Sequence, residues 1–269
     1  MKKYIFLFLI LSVCATSFAQ TKRAPAFKSG ETLECVFYFN WKFLWVKAGG
    51  ARLIIRDTIY NNREAQYMSL LSSTNEAADA FFPMRDTLTA IFTKGDITPL
   101  YYRKVSVQGS RKYLNEVWYN YVQGNKVELV QHYSRSGRKA EYVKETRERG
   151  VYDMMSVLAY ARTLDFSAYK PGQRIYFPIA TGRRVEKQCL IYRGKKTMED
   201  TDGRKYDCME ISLVKRDDKN KEKAIIDFYV TDDRNHMPVL LDLALNFGSA
   251  KARLSRSAGL LYPLVASKK

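Results

Sequence analysis

KYLNEVWYNYVQGNKVELVQHY, residues 112–133, decides the fold class. Aromatic and β-branched residues recur through it in strand fashion, and Gln123-Gly124-Asn125 interrupts them with residues that tolerate the positive φ of a hairpin turn. The stretch reads as two antiparallel strands, Lys112–Tyr121 and Lys126–Tyr133. The same pattern extends both ways. Upstream, Asp86–Thr93 and Leu100–Val107 flank Lys94-Gly95-Asp96, and Gly109-Ser110 leads into the quoted stretch. Downstream, Ser136-Gly137 leads into Arg138–Glu145. Short strands joined by glycine-bearing turns make an antiparallel meander.

The meander begins near Gly30. Leu33, Cys35, Phe37 and Phe39 alternate with Glu34, Val36 and Tyr38, the period of a strand with two distinct faces. Trp41 to Trp45 forms an aromatic bend, and Ala48-Gly49-Gly50-Ala51 marks a bulge or a close approach of two backbones. Ala51–Thr58 and Glu64–Ser73 are strands around an Asn61-Asn62 turn. Asn75–Phe82 reads as one helical turn, capped by Asn75 and ended by Pro83.

One longer helix interrupts the strands. Asp153 is a good N-cap, because its carboxylate accepts the free N–H groups of a first turn, and Met154, Val157, Leu158, Ala161 and Leu164 recur at helical spacing. The helix spans about 153–164, with Arg162 near its C-terminal end and Pro171-Gly172 closing the segment. Strands resume at Arg174–Ile179, Val185–Arg193, Lys195–Glu199, Arg204–Val214, Ala224–Thr231, Met237–Phe247 and Lys251–Ser255. A tight turn at Asp202-Gly203 places Cys208 opposite Thr197 rather than Cys189. The fold class is mainly β: a curved antiparallel sheet or incomplete barrel, with the helix packed against it. Residues 30–269 form a single domain behind a loose leader at 20–29.

The N-terminus gives a destination. Lys2 and Lys3 precede an apolar run from Tyr4 to Val13, and Ser17-Phe18-Ala19 offers small residues at the −3 and −1 positions of a cleavage site. Residues 1–19 read as a secretory signal peptide cut before Gln20, its apolar core being shorter than the roughly 20 residues of a membrane span. Leu11-Ser12-Val13-Cys14 is the competing reading, a lipoprotein box that would acylate Cys14; Val13 is bulkier than that box takes. The expected location is the periplasm or the periplasmic face of an outer membrane.

Lysine and arginine number 45 against 28 aspartates and glutamates, a formal net charge of +17. Such a chain is drawn to anionic surfaces. Export argues against nucleic acid and points to anionic lipid or glycan, with peripheral membrane contact. The basic residues cluster at Arg135/Arg138/Lys139, Arg183/Arg184, Arg193/Lys195/Lys196 and Lys215/Arg216/Lys219/Lys221/Lys223, mostly at strand ends. Gathered at one rim they make an anion-facing lip; scattered, they are ordinary charge protecting sheet ends.

Signatures of catalysis are missing from the sequence. It contains no G-x-S-x-G, H-E-x-x-H, C-x-x-C, P-loop or dinucleotide glycine pattern. Ser136 to Lys139 and Ser212 to Lys215 read S-x-x-K, but in a turn and a strand, not at a helix start. Asp200-Thr201-Asp202-Gly203 opens like a calcium loop yet lacks the glutamate at position twelve. His132 and His236 read as structural or exposed, and Asp232-Asp233 as a turn. Cys35, Cys189 and Cys208 fit no zinc spacing and are expected as buried free thiols. No metal or cofactor is expected.

Several short motifs carry a family resemblance. They are Tyr152-Asp153-Met154-Met155-Ser156, Tyr160-Ala161-Arg162-Thr163-Leu164-Asp165-Phe166 and Gly172; Phe27-Lys28-Ser29-Gly30-Glu31-Thr32-Leu33 with Ala48-Gly49; Gly203-Arg204-Lys205-Tyr206-Asp207-Cys208; and Asp232-Asp233 before Met237-Pro238-Val239. In order and spacing they resemble the bacterial exported family known as domain of unknown function 3108, over roughly Phe27 to Leu254. The Phe18-Ala19-Gln20 ending resembles leaders of the Bacteroidetes. The resemblance implies an exported, mostly antiparallel β protein and brings no catalytic residues. Periplasmic lipoprotein carriers are similar in architecture, with a helix against the concave face of a sheet; that likeness concerns fold, not function.

The sequence thus points to a non-catalytic envelope protein that binds an amphiphilic or anionic ligand in or at the rim of its sheet. Trp41, Trp45, Tyr152, Arg162, Arg183 and Arg184 are the ligand contacts expected, and Asp153, Ser156, Gly172 and Gly203 the structural positions. Tyr152, Ser156 and Arg162 also read as fixing the helix to the sheet. A structural protein with a filled core, and a hydrolase built on paired carboxylates, are the alternatives.

Overall fold

The computed structural model describes residues 25–41, 44–216, 222–244 and 249–265. The expected signal peptide with its expected cleavage site, and Cys14, lie outside the described residues, as do Lys219 and Lys221.

The meander is present throughout. β1 (Thr32–Trp41), β2 (Leu44–Tyr60), β3 (Arg63–Thr74), β4 (Met84–Thr93), β5 (Pro99–Gln108), β6 (Arg111–Val122), β7 (Lys126–Arg135) and β8 (Glu141–Glu148) form the first run. β9 (Arg174–Ala180), β10 (Val185–Glu199), β11 (Lys205–Arg216), β12 (Glu222–Thr231), β13 (Pro238–Ala244) and β14 (Ser249–Ala258) form the second. All fourteen join one sheet in the order β8-β7-β6-β5-β4-β3-β2-β1-β14-β13-β12-β11-β10-β9. Every neighbouring pair is antiparallel. β1 pairs with β14, so the two runs meet at the chain's two ends.

So wide a sheet must curl, and register shifts in β1, β4, β10, β11 and β12 supply bends. One shift lies between Phe37 and Tyr38, opposite Ala48. Next to it, a Cβ on Gly49 would stand 2.0 Å from the Ser73 carbonyl oxygen, so the glycine pair marks both a bulge and a close backbone approach. The outer strands β8 and β9 do not pair; the turn after β9 docks on β6 and β7 instead. Asn115 donates to the Thr181 carbonyl at 2.9 Å and the Gly182 N–H donates to Gln131 Oε1 at 3.1 Å. Gly182 has φ +86° and no room for a Cβ, which would meet Asn115 Cβ at 2.7 Å.

The short helix α1 (Glu76–Asp79) is capped by Asn75, and α2 (Met154–Arg162) by Asp153. Asp153 Oδ1 accepts from the N–H groups of Met155 and Ser156, and Ser156 Oγ accepts from the Asp153 N–H, a reciprocal capping box. The helix ends at Arg162, two residues before the expected Leu164, where Thr163 caps it. Met155 and Ala159 join a core with β1 to β7 residues such as Ile55, Met68, Phe92 and Leu129. Val157 joins a second core with Phe177, Leu190, Ile211 and Val230. The helix is therefore held between the two halves of the curled sheet.

Three expectations are corrected. Ala26 and Phe27, assigned to a loose leader, are buried at 2% and 6% exposure, and the Phe27 ring meets Phe92 edge-on at 6.4 Å. The β10–β11 hairpin pairs Cys208 with Lys196, one residue from the expected Thr197, because Asp200 Oδ1 accepts from the N–H groups of both Asp202 and Arg204 and so widens the turn. Cys189 faces Val214, as far from Cys208 as the sequence argument required. Gly172 and Gly203 occupy turns at φ +91° and +78°. The strand before α2 starts at Glu141 rather than Arg138, since 136–140 forms a longer turn.

One end of the curled sheet is sealed around Arg162. Its guanidinium, 1% exposed, pairs with Glu31 at 2.5 Å, donates to the carbonyls of Asn235 (2.9 Å) and Ala26 (3.3 Å), and lies 5.0 Å from the Phe27 ring centroid. Asn235 exchanges hydrogen bonds with the Tyr262 backbone, and His236 Nδ1 lies 2.6 Å from the Arg162 carbonyl. Removing one member of a buried ion pair strands the other. Arg162→Ala or Glu31→Ala is expected to cost about 3–5 kcal/mol in urea unfolding, and the double change Glu31→Leu/Arg162→Met to recover most of it. A single-variant cost below about 1 kcal/mol would show that the pair does not hold the seal.

Candidate functional site

At the opposite end the sheet stays open, and its register shows what lines it. Residues paired across an antiparallel ladder share a face. Ile211 and Leu213 pair with Phe228 and Ile226. Phe228 and Ile226 pair with Leu241 and Leu243. These pair with Ala252 and Ala250, which pair in turn with Phe37 and Phe39. One apolar face thus runs unbroken from β11 through β12, β13 and β14 to β1. Ile211 and Leu213 are buried under α2, whereas Ile226, Phe228, Leu241, Leu243, Phe37 and Phe39 are only half-buried. The strip continues to Val46, opposite Phe39, which is exposed.

Helix α2 forms one wall of this trough. Met154, Leu158 and Ala161 face Ile226 and Phe228 across an apolar crevice whose enclosed volume is only about 30 Å³. The helix therefore packs closely against β11 and β12 here, and apolar surface is offered along the mouth of the trough. Beyond Leu213 and Ile226, Lys215 and Lys223 are paired directly across β11 and β12, both exposed and with no ion pair among the described residues. Like charges in that position repel. An anion placed between them removes the repulsion. Strand alternation puts Lys215 on the same face as Leu213.

Of the six residues expected to contact ligand, four lie at the open rim and two lie inside. Trp45 is exposed at the open rim on the face opposite Val46, with the Lys251 ammonium 4.6 Å from its ring centroid. Trp41 ends β1 at the same rim; its side chain lies outside the described residues. Arg183 and Arg184 are exposed there too, paired with Glu141 and Glu186 at 3.0 and 2.7 Å. Tyr152 is inside, its backbone bridging to Ile179 and its ring 4.9 Å from that of Tyr160. Arg162 is a correction: burial and its contacts with Glu31 and Asn235 commit it to the scaffold. The trough residues were missed, although Phe37, Phe39, Phe228 and Leu241 each lay in a strand legible in the sequence.

Buried carboxylates are each committed separately: Glu31 to Arg162, Asp153 to the helix cap, Asp200 to its turn and the Tyr206 hydroxyl. His132 pairs with Glu116 at 2.9 Å beneath the stacked Tyr142 ring. Burial pushes the thiols of Cys35 and Cys208 up to about 12, which keeps them protonated and unreactive. All three described cysteines are free. Among the described residues no cluster of metal-ligating side chains occurs and no helix is long and apolar enough to cross a membrane.

A family model described as "Protein of unknown function (DUF3108)" matches residues 36–255. Among solved structures, the chain is similar to a beta-barrel-like protein of domain of unknown function DUF1849 from Brucella abortus. The two share 9% identity with a TM-score of 0.50, over 86% of this chain and 97% of that one, a likeness of fold alone. No curated protein matches the sequence.

Burial raises the Asp153 carboxyl to about 6, against roughly 3.9 for an unfolded aspartate. The folded state therefore binds this proton more tightly. The stability it contributes is complete below about pH 4 and lost as pH rises through about 6. Asn caps a helix as well as Asp does and has no proton to lose. Melting curves should show the wild type losing stability relative to Asp153→Asn between pH 4 and pH 7. Parallel curves over that range would mean that the buried carboxyl titrates as in the unfolded chain.

Proposed function

This chain belongs to the DUF3108 family, and we propose that it is an exported, non-catalytic envelope protein that binds an anionic amphiphile at the open rim of its sheet. The half-buried apolar strip across β12, β13, β14 and β1, beside α2, carries the reading. Apolar surface on the concave face of a sheet normally meets a core. Here the core ends at Leu213 and Val230, and the next residues on the same face remain partly in water. An acyl chain laid along them removes that area from water at about 25 cal/mol per Å². Lys215 and Lys223 then stand where a phosphate or carboxylate head would lie.

Export is supported by the basic, apolar and small-residue segments of the leader. Binding without turnover is supported by the engagement of the buried carboxylates in scaffold contacts. The close packing of α2 against β11 and β12 favours a second reading, an interaction protein with a filled core.

A fluorescent lysophospholipid with a phosphate head separates the two. The wild type should bind it saturably. Leu241→Gln/Leu243→Gln should weaken binding at least tenfold, about 1.4 kcal/mol, with little change in melting temperature. Lys215→Glu/Lys223→Glu should weaken the phosphate-headed probe more than a choline-headed one. Absence of saturable binding, or equal affinity in the Leu241/Leu243 variant, would leave the filled-core reading.

A further inference from the structure

We infer that the open rim is a docking surface for an anionic lipid bilayer, with Phe81 and Phe82 as its apolar anchor. The inference rests on rim residues outside the trough and stands whether or not the trough takes a ligand.

Phe81 and Phe82 follow α1 and are 84% and 53% exposed. Trp45 and Val46, 42% and 50% exposed, lie at the same rim. Asn75, the cap of α1, ties the two together: its N–H donates to the Ala48 carbonyl at 2.9 Å and its side-chain amide to the Lys47 carbonyl at 3.0 Å.

From that apolar corner the rim continues as a basic arc. The Gly109 N–H donates to the Pro83 carbonyl at 2.8 Å, which sets Arg111 and Lys112 beside the aromatic loop. Lys112 and Ser136 are joined through their backbones at 2.9 Å, bringing in Arg135, Arg138 and Lys139. The Asn115 contact with Thr181 adds the turn of Arg183 and Arg184. The acids here are largely neutralised: Asp79 by Arg85, Glu141 by Arg183, Glu186 by Arg184 and Glu222 by Arg174. Lys47, Arg111, Lys112, Arg135, Arg138 and Lys139 make no ion pair among the described residues.

Exposed aromatics next to unpaired cations match the two layers of a bilayer surface. The rings insert at the boundary of head groups and acyl chains, and the cations meet the anionic head groups within a Debye length. At the opposite rim the exposed apolar side chains at the turns are the aliphatic Ile59 and Val122, and no exposed aromatic pair occurs there among the described residues. The turns of that rim mix Asp96, Asp200, Asp202 and Asp232 with lysines and arginines, and the Arg162 network seals it.

Flotation with lipid vesicles tests the docking, using the chain without residues 1–19 so that the apolar leader contributes nothing. Vesicles rich in phosphatidylglycerol should carry the protein at low salt, less at raised salt, and phosphatidylcholine vesicles should not. Phe81→Ser/Phe82→Ser and Arg138→Glu/Lys139→Glu should each cut partitioning at least tenfold, with unchanged far-ultraviolet circular dichroism and melting temperature. The indole fluorescence of Phe81→Trp should be quenched by brominated acyl chains. No flotation with phosphatidylglycerol, or flotation of both variants equal to wild type, would overturn the inference. Leu241→Gln/Leu243→Gln should float normally, which separates loss of docking from loss of the trough.

Discussion

The buried pair of Glu31 and Arg162 is the constraint on which the rest of the architecture depends. Two charges withdrawn from water cost several kcal/mol each unless their geometry and hydrogen bonds compensate. Compensation here draws on three distant parts of the chain: the segment before β1, which supplies both Glu31 and the Ala26 carbonyl, the end of α2, and the turn between β12 and β13. None can shift without exposing an unpaired charge. The pair therefore fixes the C-terminal end of α2 to the junction of the two strand runs, and it does so at one end of the curled sheet only.

Anchoring the helix at that end determines the asymmetry of the molecule. The helix fills the space between the two halves as far as its first turn, where Met154 is exposed. Past that turn the concave face has no helix to cover it, so Ile226 and Phe228 lie half in water. The outer strands could not restore coverage by pairing, because the turn at Gly182 holds them at a distance through Asn115 and Gln131. An open sheet of this width usually curls into a closed form or exposes edges. This one is not closed by strand pairing: the turn after β9 contacts β6 and β7 through Asn115 and Gln131, and the charged strand β8 protects one edge.

The strands were readable because period two survives in almost every segment and glycine or asparagine marks most turns. The α2 cap was readable for the same local reason. What escaped the sequence was non-local. Glu31 and Arg162 are 131 residues apart, and no pattern connects them. Phe27 looked like leader because an isolated apolar residue before a strand carries no periodicity. The one-residue error at Cys208 came from Asp200, whose side chain stands in for a backbone partner and lengthens the turn. The trough depends on register across five strands, so each of its residues looked like ordinary core. Trp45, Arg183 and Arg184 were found at the rim because aromatics and charges at strand ends stand out locally.

The distribution of charge follows from topology. In an up-and-down antiparallel sheet, alternate turns fall at the same rim. Cations placed in every second turn therefore gather without any contact being designed between them. The turns after β5, β7, β9 and β11 carry Arg111, Arg138, Arg183 and Lys223 at or just beyond them, and all fall at the rim that α2 leaves open. The cluster at Arg193, Lys195 and Lys196 is the exception that confirms the geometry: it lies along β10, where Arg193 donates to Ser212 and Lys195 pairs with Asp232. Sealing one end with a buried ion pair and charging the other are thus linked. The first frees one rim from the core, and the strand order delivers the cations to that rim.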